Sequence, residues 1–209
     1  MNASLSAHEL TCARGTRLLF RALSFVVGAG QVLRVEGGNG AGKTSLLRLL
    51  AGLALPFDGE VRWCDAPIAA QRERYAQALL YLGHAPALKD DLTPLENLRA
   101  MACLAGDTQD ETTLQGALDR WGLDRVPRRL PVRALSAGQR RRAALARLSI
   151  TRARLWILDE PFNALDAGAC AQLAACIEQH AERGGIAVVT SHQDLPAMQR
   201  VRPSSLALN

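Results

Sequence analysis

Apolar and polar positions along the chain alternate between two rhythms. Residues 31–36 (Q-V-L-R-V-E) form a short apolar segment rich in β-branched side chains and read as a strand. Residues 44–53 carry Leu46, Leu49, Leu50 and Leu53 at the three- and four-residue spacing of one helix face. A glycine-rich loop separates the two. Residues 59–63 and 79–82 read as further short strands, the first belonging to an antiparallel region near the amino terminus.

The middle of the chain has a helical rhythm. Thr93-Pro94-Leu95-Glu96 sets a hydroxyl at an N-cap, a proline at the first helical position and a glutamate at the third, the pattern of a capping box, so a helix runs from there to about Leu104. A second helix spans 111–121 and stops at Gly122, and a third begins just after Ala137-Gly138 and continues through 140–148. Residues 155–158 return to a buried strand, followed by a helix over 167–182, a Gly184-Gly185 stop and a strand over 186–190. Strand and helix in alternation imply an α/β fold, a parallel sheet with helices on its faces. No solenoid-period repeat and no Pro/Ser/Gly linker divides the chain, so 1–209 is expected to be a single domain with lobes.

Composition narrows the class. With 209 residues, 48% hydrophobic and 22% charged, the chain is large enough for one substantial core and excludes disorder or collagen-like repeats. No apolar run approaches the roughly 18 residues of a membrane-spanning helix. The amino-terminal segment lacks the basic start, apolar run and cleavage site of a secretory signal, so a cytoplasmic address is expected. Cys12, Cys64, Cys103, Cys170 and Cys176 form no C-x-x-C pair and read as reduced thiols. Net charge is +5, and Lys43 and Lys89 are the only lysines among 25 basic residues. Nucleotides, nucleic acid and an anionic membrane surface all suit that balance.

Gly37-Gly38-Asn39-Gly40-Ala41-Gly42-Lys43-Thr44 fits G-x-x-x-x-G-K-[ST] between a strand and a helix, and Ser45 follows it. Glycines let backbone N–H groups turn inward on phosphates. Lys43 brings an ammonium to the β and γ oxygens, the Thr44 hydroxyl suits Mg²⁺, and the helix N-terminus adds its positive end. Leu155-Trp156-Ile157-Leu158-Asp159-Glu160 sets two acids at the end of an apolar strand, where burial of charge is unfavourable unless a metal or hydrogen bonds offset it. Asp159 would hold Mg²⁺ through water. Glu160 would accept a proton from, or orient, the water that attacks a γ-phosphate. A D-E pair after a strand also fits a plain helix N-cap. Leu135-Ser136-Ala137-Gly138-Gln139 offers a hydroxyl, backbone N–H groups and a helix start, a second anion site in one chain, while Ser136 alone reads equally as a cap.

Together these motifs resemble the ATP-binding cassette (ABC) family, whose L-S-G-G-Q signature is similar to Leu135-Ser136-Ala137-Gly138-Gln139. The resemblance runs from Leu10 to about Leu195. It implies a P-loop NTPase core of the ABC ATPase type, with a helical subdomain over roughly 84–150 and a small antiparallel β region. It also implies a head-to-tail homodimer that holds two ATP molecules, the phosphate loop of one copy facing Ser136, Gly138 and Gln139 of the other. Asp166, in Asn163-Ala164-Leu165-Asp166, would then lie at the dimer seam, a role compatible with capping the next helix. His192 matches the switch histidine that contacts the γ-phosphate. His84 stands where the family has a glutamine touching Mg²⁺ or water, and an imidazole differs from an amide in geometry and pH response. The family's adenine-stacking aromatic falls near Arg14, whose guanidinium is itself able to stack. His8 and His180 match no motif and read as structural.

Within the family, Glu36-Gly37-Gly38-Asn39-Gly40, Gly83-His84 and the run through Asp159-Glu160-Pro161-Phe162 resemble the ATPase subunits of cytochrome c biogenesis haem exporters. That implies an ATP-hydrolysing subunit, peripheral on the cytoplasmic side of a bacterial inner membrane and bound to CcmB/CcmC-like integral subunits. It would energise haem export or haem-chaperone release. Cys12, Cys64 and the histidines form no C-x-x-C-H site, so this subunit is not expected to bind haem itself. The alternatives are the cassette of another small importer or exporter, and a soluble assembly ATPase of the iron-sulfur scaffold type. A nucleic-acid-binding regulator is the reading from a different class; no nucleic-acid partner is expected of a transporter subunit.

Overall fold

In a computed structural model, which describes residues 3–124, 127–191 and 198–208, the elements in chain order are β1 (Ser4–Arg14), β2 (Arg17–Gly28), β3 (Val32–Glu36), α1 (Lys43–Leu50), β4 (Asp58–Trp63), β5 (Ala66–Pro67), α2 (Arg72–Ala78), β6 (Leu79–Leu82), α3 (Pro94–Leu104), α4 (Glu111–Arg120), α5 (Ala137–Leu145), β7 (Leu155–Leu158), α6 (Ala167–Glu182), β8 (Ile186–Thr190) and β9 (Ser204–Ala207). The chain divides into two units. One comprises Met1–Tyr81, Ala153–Pro161 and Ile177–Asn209, the other Leu82–Arg152 and Phe162–Cys176.

The first unit is built on two sheets, an antiparallel one in the order β2-β1-β4-β5 and one in the order β6-β7-β8-β3-β9. In the second sheet β7 pairs parallel to β8, and β3 pairs parallel to both β8 and β9. Strands β7 and β8 are buried at every position, the pattern of parallel strands covered on both faces. Leu46, Leu47, Leu49 and Leu50 of α1 pack in one core with Leu5, Val35, Ile157 and Val188. Val35 lies opposite Thr190, and Leu158 opposite Val189. The carboxyl ends of β3, β7 and β8 are therefore level, and the loops leaving them emerge at one edge of the sheet, where open α/β sheets place their ligands.

Two expectations need adjustment, and one hairpin has no counterpart in the sequence rhythm. Helix α1 stops at Leu50 because Gly52 turns left-handed at φ +69, which leaves Leu53 57% exposed instead of on the apolar face. Helix α5 ends at Leu145, and Ala146–Ser149 continues as a 3-10 turn. Strands β1 and β2 are far longer than the sequence rhythm suggests. Bulges at Glu9 and Ala22, both near φ +50, shift their register and break the period-two pattern. The expected pairing of 59–63 with an amino-terminal antiparallel region is observed between β1 and β4.

In the second unit, the Thr93 hydroxyl accepts from the Glu96 amide (3.2 Å) while the Glu96 carboxylate accepts from the Thr93 amide (2.8 Å), the reciprocal box expected for α3. Asp110 caps α4 by accepting from the Thr113 amide at 2.7 Å. Buried Asn97 pins the approach to α3, donating to the carbonyls of Lys89 (3.0 Å) and Thr93 (3.1 Å) and accepting from the Lys89 amide (2.7 Å).

Candidate active site

The glycine-rich loop is anchored where β3 meets the carboxy-terminal strand. The Glu36 carbonyl accepts from the Leu208 amide (2.8 Å), and the Glu36 carboxylate accepts from the Ser205 hydroxyl (3.1 Å). Gly37 then passes so close to Leu208 that a Cβ there would sit 2.7 Å from the Leu208 carbonyl oxygen. At the other end Gly42, left-handed at φ +99, caps α1, and a Cβ would press on Leu19 (3.2 Å) and the Phe20 ring (3.3 Å). Both positions need glycine, for φ and for space.

Lys43 is the first residue of α1 and is only 7% exposed. Its Nζ donates to the carbonyls of Gly37 (2.6 Å) and Gly38 (3.2 Å), so the ammonium is held inside the loop it serves. Gly38, Asn39, Gly40 and Thr44 are exposed, while Ala41 and Ser45 are half-buried. The N-terminus of α1 has no side-chain cap and no acid in its first turn. Its first amides point outward with the positive end of the helix, the arrangement that receives phosphate. Outside the motif, the Arg17 guanidinium reaches the loop tip, its Nη2 4.0 Å from where a Cβ of Gly40 would stand. Arg17 pairs across the β1–β2 hairpin with Arg14. Of the two, only Arg14 falls near the family's adenine-stacking position.

At the end of β7, Asp159 is 1% exposed and Glu160 half-buried. Glu160 adopts φ +48, the left-handed region, which costs a non-glycine residue about 1–2 kcal/mol. Thr190, the last residue of β8, lies between them. Its hydroxyl accepts from the Glu160 amide (2.8 Å) and donates to Asp159 Oδ1 (2.8 Å). A threonine closing an apolar strand carries no motif, so nothing in the sequence alone singles out Thr190. Burial raises the Tyr81 hydroxyl above its ordinary pKa, the Asp159 carboxylate adds to that, and Arg48 opposes it. His192, expected to contact a γ-phosphate, lies outside the described residues.

In the second unit, Ser136 and Gln139 form a full capping box on α5, more than the plain cap expected of Ser136. The Gln139 amide donates to Ser136 Oγ (3.2 Å), and the Ser136 amide donates to Gln139 Oε1 (2.9 Å). Ser136 Oγ serves this cap as an acceptor, so its proton can still be given to an anion. A Cβ on Gly138 would stand 3.0 Å from the Ala164 carbonyl, a close approach that suits glycine there. Asp166 caps α6, accepting from the Ala169 amide at 2.8 Å. Buried Arg141 donates to the carbonyls of Gly83 and His84, each at 3.3 Å. His84, Asp90, Arg140, Arg141 and Asn163 line a cleft of about 380 Å³.

The family profile described as ABC transporter matches residues 20–163 of this chain. The chain belongs to the ABC transporter family. A curated relative of this ABC cassette is the cytochrome c biogenesis ATP-binding export protein CcmA of Aromatoleum aromaticum, 56% identical over 92% of this chain and 90% of that one. Among solved structures, a putative ABC transporter ATP-binding protein from Pyrococcus furiosus superposes with TM-score 0.82 at 22% identity, covering 98% of this chain and 97% of that one. An ATP-binding cassette solved as a dimer in a post-hydrolysis state with ADP and phosphate superposes with TM-score 0.78 at 20% identity, covering 90% and 88%. Both structures share the cassette fold. The resemblance to cytochrome c biogenesis ATPases read from the sequence is matched by the named relative.

Proposed function

We propose that this ABC cassette is the ATP-hydrolysing subunit of a membrane complex for c-type cytochrome biogenesis, energising haem export or the release of a haem-carrying chaperone. The observation that carries the reading is 56% identity, over nine-tenths of both chains, to a protein named an ATP-binding export protein of cytochrome c biogenesis. The loop around Lys43 and the acid pair at Asp159-Glu160, level at one sheet edge, support its ATP-hydrolysing part. Two copies act together, as the dimeric cassette with ADP and phosphate suggests by analogy, on the cytoplasmic side of an inner membrane against CcmB/CcmC-like integral subunits. No helix among the described residues is long and apolar enough to cross a membrane. In this reading the helical unit and His84 form the contact with the integral subunits.

The donors present suit Mg²⁺. Asp159 is a buried carboxylate at the end of β7, and Thr44 supplies a hydroxyl at the start of α1. One carboxylate and one hydroxyl completed by nucleotide oxygens is how a hard cation with reluctant dehydration is held. Such a cation would neutralise charge on the β and γ oxygens. In this mechanism the backbone amides of residues 38–45 and the Lys43 ammonium grip the phosphates. The Glu160 carboxylate orients the attacking water and takes its proton, and His192 contacts the γ-phosphate. Ser136, Gly138 and Gln139 of the opposing copy close over the phosphates, with Asp166 at the seam. Binding therefore favours the closed pair and hydrolysis releases it, a population shift that moves the membrane subunits.

Co-expression with an integral partner tests this reading. The chain should sediment with membranes only when that partner is present, and ATP turnover should depend on Lys43. Salt-sensitive binding to DNA or RNA with no membrane recruitment would point to the regulator instead.

A further inference from the structure

We infer that Thr190 is a positioning residue for both acids of the site. This rests on the reading of Asp159 as the cation-side carboxylate and Glu160 as the base. Leu158 and Val189 are paired across the β7–β8 ladder, so Asp159 and Thr190 stand side by side one residue beyond it. Thr190 is completely buried and Asp159 is 1% exposed. A hydroxyl has one proton to give. The backbone amide of Glu160 can only donate, so at 2.8 Å the Thr190 oxygen accepts from it. The hydroxyl proton therefore goes to Asp159 Oδ1, also at 2.8 Å. The polarity of the relay is fixed by chemistry, running from the Glu160 amide through Thr190 to the Asp159 carboxylate.

One side chain thus holds two geometries. It fixes the orientation of the Asp159 carboxylate, committing Oδ1 within the protein. It also ties down the peptide of Glu160 in its left-handed conformation, which a glutamate does not favour unaided. Threonine suits the task because its β-branch restricts χ1 in a strand, which aims the hydroxyl. Valine has the same shape without the hydroxyl, so Thr190→Val keeps the packing and removes both bonds, whereas Thr190→Ser keeps the bonds.

The test is Mg²⁺ titration of the purified full chain with a fluorescent non-hydrolysable ATP analogue, run beside turnover and melting. For Thr190→Val, half-saturation by Mg²⁺ should rise about tenfold and kcat fall at least as far, as when partners of metal-side carboxylates are removed. Analogue binding in EDTA, which draws on the phosphate loop alone, should not change, and Thr190→Ser should recover most of the Mg²⁺ response. Asp159→Asn tests the underlying reading: if it leaves the Mg²⁺ dependence intact, the site assignment fails. If Asp159→Asn loses that dependence while Thr190→Val keeps wild-type Mg²⁺ half-saturation and kcat, whatever its melting temperature, the positioning role is overturned. Should Thr190→Val not fold, hydrogen exchange on the unaltered chain reads the same relation. A Glu160 amide exchanging as slowly as those of β8 is expected, and exchange at the rate of a surface turn contradicts the proposal.

Discussion

The imidazole of His180 lies flat against the indole of Trp156, ring centroids 3.8 Å apart and planes within 7° of parallel. This stack joins the end of α6 to β7, three residues before Asp159. Gly185 leaves room for it, since a Cβ there would collide with the imidazole at 2.3 Å. Burial is the main reason the His180 pKa falls from 6.5 to about 4. Hydrogen bonds to the backbone of Ile186 and Arg154 oppose the fall, and Arg183 adds to it.

A pH dependence follows. Between pH 6.5 and about 4 the unfolded chain binds a proton at His180 that the folded chain refuses. Stability from this group is therefore fully present above 6.5 and is lost as pH falls toward 4, by about 3 kcal/mol at most. Urea unfolding at a series of pH values should show that slope, and His180→Asn should flatten it. An equal slope in both proteins would remove His180 as its source.

Gly37→Ala should cost about 1–3 kcal/mol of stability and abolish nucleotide binding. The added methyl would meet a carbonyl of the backbone, and Leu208 cannot retreat easily because its amide is bonded to Glu36. Melting temperature and analogue binding check this together. A stable variant with normal affinity would show that the contact with the carboxy-terminal strand is dispensable.

Ser136 separates capping from pairing. Aspartate caps a helix as well as serine does, so Ser136→Asp should fold normally. It would bring a negative charge toward the phosphates held by the opposing copy. Light scattering on the Glu160→Gln background should show ATP-dependent dimers that Ser136→Asp abolishes, with ATP binding to the single copy retained. Dimers that persist in the double variant would mean Ser136 faces away from the nucleotide.

Much of this geometry could be read in advance because single residues dictate it. The glycines of the loop, the Thr93–Glu96 box and the uniformly apolar β7 and β8 each point to one local structure, and each is found where expected. The long β1–β2 hairpin was not legible. Its bulges at Glu9 and Ala22 put apolar residues out of phase, so no periodic signal survives. Strand β9 was missed because four residues with mostly exposed side chains are held by pairing to β3 alone. Arg17 and Thr190 escaped for another reason. Each matters through a partner distant in sequence, Gly40 for one and Asp159 for the other, and no local spacing encodes that proximity.

Phosphate release by Glu160→Gln under saturating Mg²⁺ and ATP tests the central claim most directly, because glutamine keeps the shape of the side chain and removes its basicity. Turnover should fall by about two orders of magnitude or more, while ATP remains bound. Release at the wild-type rate would take Glu160 out of the chemistry, and with it the hydrolytic site at the edge of this sheet.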